Sequence, residues 1–230
     1  MNIIWLGHGS FRIEIEDQVL LIDPWLTGNP MLSEDQHAAA ITGATQILAT
    51  HGHFDHITDI PQISEKTGAP VSGPYELVSY LVGQGAGEGM GFNKGGTVQF
   101  GSVSVSMVPA SHSSSSTPGD TPIYLGCEVG FMIRGDSHCI YLSGDTGIMA
   151  DMDWMGDLYK PDIGILSAGG HFTMDMAGAA YAAKRYFNFK TVIPCHYRTF
   201  PLLEQSAEVL QAGLPGVSVV EPQVMEAISV

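Results

Sequence analysis

With 230 residues the chain is the size of one large layered domain or two small ones, and 44% hydrophobic against 14% charged residues exclude a disordered or coiled-coil protein. Twenty-four acidic residues against nine basic ones leave a formal charge of −15. Such a field repels DNA, RNA and other polyanions unless a basic patch intervenes, and the nearest thing to one is Lys184-Arg185.

The three cysteines, Cys127, Cys139 and Cys195, contain no C-x-x-C pair, so neither a disulfide framework nor a zinc ribbon is indicated. They read as buried thiols of a reducing, cytoplasmic environment. Met1–Leu6 runs into a strand-like pattern without a basic leader, so no signal peptide is expected. No stretch approaches the ~18 apolar residues of a membrane span.

The first elements read as three short strands, Asn2–Leu6, Phe11–Glu16 and Val19–Asp23, on the alternation of apolar and polar residues. Gln46–Thr50 is a further apolar run that leads into the polar segment Thr50–His56. Helical spacing follows at Ile57–Thr67 and Tyr75–Val82, and the glycine-rich stretch Gly83–Gly96 reads as a loop. Thr97–Pro109 predicts a hairpin, Ala110–Pro122 a polar serine-rich loop, and Ile123–Ile133 with His138–Leu142 a second hairpin. Asp162–Leu166 predicts a strand, Asp175–Phe187 the most regular helix, Lys190–Pro194 a strand and Leu202–Gln211 a helix, before two final strand-like pieces. This order suggests two similar halves, about 1–115 and 116–230, each a mostly antiparallel sheet with helices outside. No low-complexity linker divides them, so residues 1–230 read as a single α/β (α+β) domain of four layers.

Thr50-His51-Gly52-His53-Phe54-Asp55-His56 places three of the nine histidines, with a carboxylate, inside six residues. His51 and His53, two apart, point the same way on an extended segment and can share one metal ion. Asp55 and His56 follow at a helix start, from which they can face the same cavity from another side. Imidazole with carboxylate is the donor set that zinc, iron and manganese favour.

This H-x-H-x-D-H run after an apolar strand resembles the signature of the metallo-β-lactamase superfamily. That family uses further ligands on later loops. His112 in Pro109-Ala110-Ser111-His112-Ser113, Asp145 in Ser143-Gly144-Asp145-Thr146 and His196 in Pro194-Cys195-His196-Tyr197 fit them in order. Trp5-Leu6-Gly7-His8-Gly9-Ser10-Phe11, Ile22-Asp23-Pro24-Trp25, Gly169-Gly170-His171-Phe172 and the segment Pro194–Pro201 narrow the match. They are similar to the small stand-alone metal-dependent hydrolases of the superfamily, related to ascorbate-6-phosphate lactonase and, more distantly, to N-acyl-phosphatidylethanolamine phospholipase D.

The resemblance implies a four-layer αββα sandwich, with two mixed sheets inside and helices outside. It implies a dinuclear site in which one metal takes His51, His53 and His112, the other takes Asp55, His56 and His196, and Asp145 bridges them along with a water or hydroxide. Zinc is the first expectation for the two divalent ions, and manganese or iron suits the same ligands. The implied activity is hydrolysis of an ester, lactone, amide or phosphodiester bond in a small-molecule substrate, which the metals' positive charge allows to be anionic. Asp55 is expected also to orient or deprotonate the attacking water. An iron-dependent oxidoreductase or dioxygenase on the same scaffold, and a non-catalytic metal or ligand sensor, are the alternatives. The complete second ligand set favours the hydrolase.

Three further residues are weaker candidates. His171, in a Gly-Gly loop before the best helix, is expected to contact substrate or donate a proton. His8 sits in a tight Gly-His-Gly turn and is either a turn residue or a substrate contact. Asp23, at a strand end before proline, is expected to support the metal loops from outside the ligand set. Cys195 is not expected as a ligand, because neighbours on a strand face opposite ways. Ser111–Ser116 reads as a mobile polar lid rather than a nucleophile, since no G-x-S-x-G elbow surrounds it. The oligomeric state stays open, a homo-oligomer included.

Overall fold

Alternation of apolar and polar side chains sets up the first sheet. In the computed structural model, which describes all 230 residues from Met1 to Val230, β1 (Asn2–Gly7), β2 (Ser10–Ile15) and β3 (Gln18–Ile22) form an antiparallel meander. Ile3 pairs with Ile13, and Ile13 with Leu20. The direction then changes. A 3-10 turn at Glu34–Gln36 and α1 (His37–Ile41) carry the chain to β4 (Gln46–Leu48), parallel to β3. α2 (Phe54–Ile57) and α3 (Ile60–Thr67) lead to β5 (Val71–Pro74), and α4 (Tyr75–Gly83) leads to β6 (Gly89–Phe92), both again parallel.

The second sheet repeats this plan. β7 (Thr97–Phe100) and β8 (Val103–Pro109) form a hairpin, and a smaller hairpin of β9 (Ser115–Ser116) and β10 (Ile123–Tyr124) follows. β11 (Val129–Gly135) pairs with β8, and β12 (His138–Leu142) with β11, both antiparallel. α5 (Met152–Tyr159), α6 (Met176–Tyr186) and α7 (Glu208–Gly213) then cross over to three parallel strands, β13 (Ile163–Ser167), β14 (Thr191–Cys195) and β15 (Ser218–Val219). Pro194 is tolerated inside β14 because the register with β15 runs only as far as Val192, two residues short of the proline. The chain ends back on the first sheet, with β16 (Ala227–Ser229) antiparallel to β1.

Strand periodicity sorts the side chains into layers. Leu20 and Ile22 enter a core of 41 buried residues that also holds Phe131 and Ile140 of the second sheet and Ala179, Ala183 and Leu210 of α6 and α7. Leu21, between them, points the other way into a core of 19, with Ile60 and Ile63 of α3 and Leu77 and Leu81 of α4. The order is helices, sheet, sheet, helices.

Several local expectations are corrected. Each sheet has three antiparallel and three parallel pairings rather than being mostly antiparallel, because every crossover helix returns the chain in the same direction. The sheets divide between Phe92 and Thr97, ahead of the expected 115–116 boundary, since β7 and β8 join the second one. The helix expected over 57–67 is broken at Thr58-Asp59, where Asp59 accepts hydrogen bonds from the N–H groups of Leu26 (2.7 Å) and Thr27 (2.9 Å). β6 lies inside the expected 83–96 loop. Its glycines mark a close approach, since a Cβ on Gly89 would sit 2.6 Å from Val78 Cγ1 and one on Gly91 2.8 Å from Tyr75 Cα. β5 and α5 have no counterpart in the sequence reading, the strand expected over 123–133 is divided into β10 at Ile123–Tyr124 and β11 from Val129, and the helix expected at 202 starts at Glu208. No helix is long and apolar enough to cross a membrane.

Candidate metal centre

Six strands run to the same edge of the two sheets, and a candidate residue follows each. His8 follows β1, Asp23 β3, the His51–His56 segment β4, His112 β8, Asp145 β12 and His196 β14. His8, Asp23 and His196 have left-handed backbones, with φ of 52°, 44° and 58°. Non-glycine residues adopt this conformation only where surrounding contacts hold it. Here the carbonyl of His8 accepts hydrogen bonds from Trp5 Nε1 (2.8 Å) and from the backbone N–H of His196 (2.9 Å), tying the two sheets' loops together.

The polar side chains form two adjoining clusters. In the first, His51, His53 and His112 bring one ring nitrogen each to within 4.8 Å of the others. His51 Nε2 lies 3.0 Å from His53 Nδ1. Their other nitrogens face Thr50 Oγ1 at 2.9 Å and Ser113 Oγ at 3.2 Å. In the second cluster His8, Asp55, His56 and His196 meet within the same limit. Asp145 lies between the clusters: its Oδ2 is 3.0 Å from His196 Nε2, 3.5 Å from His56 Nε2, 3.7 Å from His112 Nε2 and 3.9 Å from His51 Nε2.

Asp23 orients the group from behind. Its carboxylate accepts from the backbone N–H (2.7 Å) and hydroxyl (2.5 Å) of Thr50 and pairs with His56 Nδ1 at 2.8 Å. With Nδ1 engaged, His56 Nε2 is turned inward, where it is buried and has no hydrogen-bond partner. A buried polar nitrogen left unpaired costs about 1–3 kcal/mol. Aimed at two carboxylates, it fits a cation rather than a protein donor or acceptor, and the all-nitrogen-and-oxygen set suits a divalent metal.

The protonation states divide accordingly. Burial lowers the pKa of His51 well below the ordinary value and lowers His53 and His112 as well, so their lone pairs are available near neutral pH. Burial acts the same way on His56 and His196 but is overcome, chiefly by Asp145. His56 is held well above the ordinary imidazole range and His196 is pushed up to about 9. Asp145 is held well below the carboxylate range because, against its burial, His196 and His56 face it. Asp55 is lowered likewise, chiefly by His56, again against the effect of burial. Metal binding to such a set releases protons. His8 is lowered to about 4 by burial, despite Asp55. It is neutral beside an ionised carboxylate, so its Nε2–H donates to Asp55 Oδ2 (2.8 Å) and its Nδ1 accepts from Thr199 Oγ1 (2.8 Å).

A cleft of about 480 Å³ opens over the clusters, lined by His8, His53, Asp55, His112, Asp145 and His196 together with Phe54, Ser113, Phe172, Phe200 and Leu202. His53 and Phe54 also line a neighbouring cavity of about 700 Å³ between α2, α3, α4 and the β9 segment. All seven expected metal-binding residues and the weaker candidate His8 therefore converge on one place, with Asp23 behind them. His171 does not. It is exposed at the tip of a loop closed by the hydrogen bond from Gly170 N to Met174 O (2.9 Å), and the adjacent Phe172 reaches the cleft instead. Cys195 is buried, and burial pushes its thiol well up, which suits an inert core residue. The serine run is less free than a mobile lid: Ser114 Oγ accepts from Gly52 N at 3.1 Å, and Ser115-Ser116 pair with Ile123-Tyr124. Thr199, Phe172, Phe200 and Leu202 were not singled out. Thr199 and Phe200 lie in the quoted Pro194–Pro201 segment and Phe172 in the quoted Gly169–Phe172 segment, and these matches carry the available signal.

A family model described as the beta-lactamase superfamily domain matches residues 18–197. A protein named UPF0173 metal-dependent hydrolase from Ruegeria pomeroyi is 67% identical over 230 residues, 100% of both chains. Its namesake from Roseobacter denitrificans is 68% identical over 228 residues, 99% of each. Among solved structures, Igni18, described as a novel metallo hydrolase from the hyperthermophilic archaeon Ignicoccus hospitalis, matches with a TM-score of 0.84 and 31% identity, over 99% of this chain and 97% of that one. The chain belongs to the beta-lactamase superfamily and, within it, to the UPF0173 metal-dependent hydrolases.

Proposed function

We propose that the cleft is a dinuclear hydrolytic centre in which His51, His53 and His112 hold one divalent metal ion, Asp55, His56 and His196 hold a second, and Asp145 stands between them. The observation that carries this is the position of Asp145 Oδ2, 3.0 to 3.9 Å from imidazole nitrogens of both sets. The unpartnered, buried His56 Nε2 supports it. Zinc, manganese and iron all suit these donors, zinc first. When bound, such ions bring the pKa of water down to about 7 and polarise a carbonyl or phosphoryl oxygen.

The chain's own groups have separate tasks. Asp23 and Thr50 fix the rings of His56 and His51 through Nδ1, so that each presents Nε2. His8 holds Oδ2 of Asp55, leaving Oδ1 to orient a water or take its proton. The bond cleaved is an ester, lactone, amide or phosphodiester in a small molecule.

Purified protein is expected to carry about two metal ions per chain by mass spectrometry. His53→Ala is expected to keep its circular dichroism spectrum while losing hydrolysis of ester and phosphodiester surrogates by more than the ~10–100-fold typical of a lost supporting group. Full turnover in that variant, or in protein freed of metal, would refute the assignment. Iron spectra coupled to oxygen uptake would instead favour oxidative chemistry on the same ligands.

A further inference from the structure

Resting on the reading of the cleft as a hydrolytic centre, we propose that its substrate is uncharged away from the scissile bond and carries an apolar group seated against Phe54, Phe172, Phe200 and Leu202. The metals' charge admits an anionic substrate, but the walls around them do not favour one. None of the nine lysines and arginines lines the cleft or the adjoining cavity. The chain does gather cations elsewhere: Arg134, Lys160 and Lys190 line a separate groove of about 550 Å³. An anionic group beyond the reach of the metals would find no lysine or arginine in either wall to pair it. Burying it there costs free energy that a neutral group does not incur.

The apolar wall is built from three separate segments. Phe54 starts α2, Phe172 sits in the loop after β13, and Phe200 and Leu202 follow β14. Phe54, Phe172 and Leu202 are 62%, 53% and 55% exposed. Large apolar side chains converging from distant segments on one opening, and left uncovered, mark a place where apolar surface is buried by a ligand. Trp25 braces the wall from beneath, edge-on to Phe54 at 5.9 Å and 6.3 Å from Phe200 between ring centroids. The adjoining cavity adds neutral polar partners, Thr58, Gln62, Gln84, Ser116 and Thr117, suited to hydroxyl or amide groups. The shape and chemistry together fit a neutral ester, lactone or amide with an apolar arm.

The metal-loaded protein tests this with 4-nitrophenyl acetate, butyrate and hexanoate, and with 4-nitrophenyl 6-sulfohexanoate, which adds a distal negative charge. The expected kcat/KM rises along the neutral series by up to about fourfold per methylene. It falls by about tenfold or more from the hexanoate to its sulfonated analogue. Phe172→Ala and Leu202→Ala, both at exposed positions, should flatten the chain-length gain. A flat series, or a sulfonated ester turned over as well as the hexanoate, would overturn the proposal. Absence of turnover on every ester by protein that holds its metals would count against the hydrolytic reading alone. Binding then decides: hexanamide is expected to change the tryptophan fluorescence at lower concentration than its terminally sulfonated analogue, with the signal lost in Trp25→Phe. The opposite order would overturn the proposal on its own.

Discussion

His56 can face Asp145 only because the residue packed on its ring is a glycine. A Cβ on Gly9 would lie 2.8 Å from His56 Cε1, and the ring cannot retreat because Asp23 holds its Nδ1 at 2.8 Å. Gly9 has no left-handed backbone, so Gly9→Ala acts through this overlap alone. It is expected to weaken the affinity for the proposed second metal by roughly 10–100-fold, as loss of a supporting contact does, while costing about 1–3 kcal/mol of stability. Metal titration with thermal unfolding checks it, and two metals held at the parent's affinity would contradict the role given to Gly9.

At the scale of elements, Asp162 joins the starts of three parallel strands at the edge opposite the metal centre. Its carboxylate accepts from the Cys139 backbone N–H at 2.9 Å and pairs with His138 Nδ1 at 2.8 Å, both in β12, and its own carbonyl accepts from Lys190 N at 2.8 Å, just before β14. Burial would raise its pKa, but the Cys139 N–H and His138 hold it below the ordinary carboxylate value. A carboxyl depressed in the folded state stabilises the fold above its unfolded value, and that contribution is lost as pH falls through the lower folded value. Asp162→Asn is therefore expected to cost ~1–2 kcal/mol at pH 7, or roughly 2–8 °C in Tm for a chain of this size. The gap to the parent should narrow as pH drops below the ordinary carboxylate range. A deficit constant from pH 7 to acid would show that packing, not charge, sets it.

Across the whole molecule, the candidate metal centre joins the two sheets. His51 and His53 come from the loop after β4, Asp55 and His56 from α2 that follows it, and His112, Asp145 and His196 from loops of the second sheet. Ions held between them stabilise the folded chain by mass action, about 2.7 kcal/mol for free metal at 100 times its Kd. Chelation is expected to lower Tm by roughly 5–10 °C, reversibly on adding metal back. An unchanged Tm would mean that the ions do not bridge the sheets. The charge of −15 lies mostly outside this centre. It disfavours polyanions at the surface without describing the cleft, whose carboxylates are matched by histidines.

What the residues alone determined is whatever depends on near neighbours. Alternation placed β1, β2, β3, β8 and β12, and the dense His51–His56 run marked the centre. Single histidine and aspartate residues after later strands supplied the other candidates, because strand ends project side chains to a common edge. Only tertiary structure decided the rest, because it depends on approach between residues far apart in the chain. His8 reaches Asp55 across 47 positions and Thr199 across 191, which turns an ordinary turn residue into part of the centre. Glycines that read as a loop form β6 because α4 lies too close for side chains. His171 and Phe172 stand side by side in the sequence, and the closed turn from Gly170 to Met174 leaves the histidine exposed and the phenylalanine on the cleft wall. Local pattern carries the identity of a ligand, whereas the wall that selects a substrate is assembled from loops whose meeting no local pattern encodes.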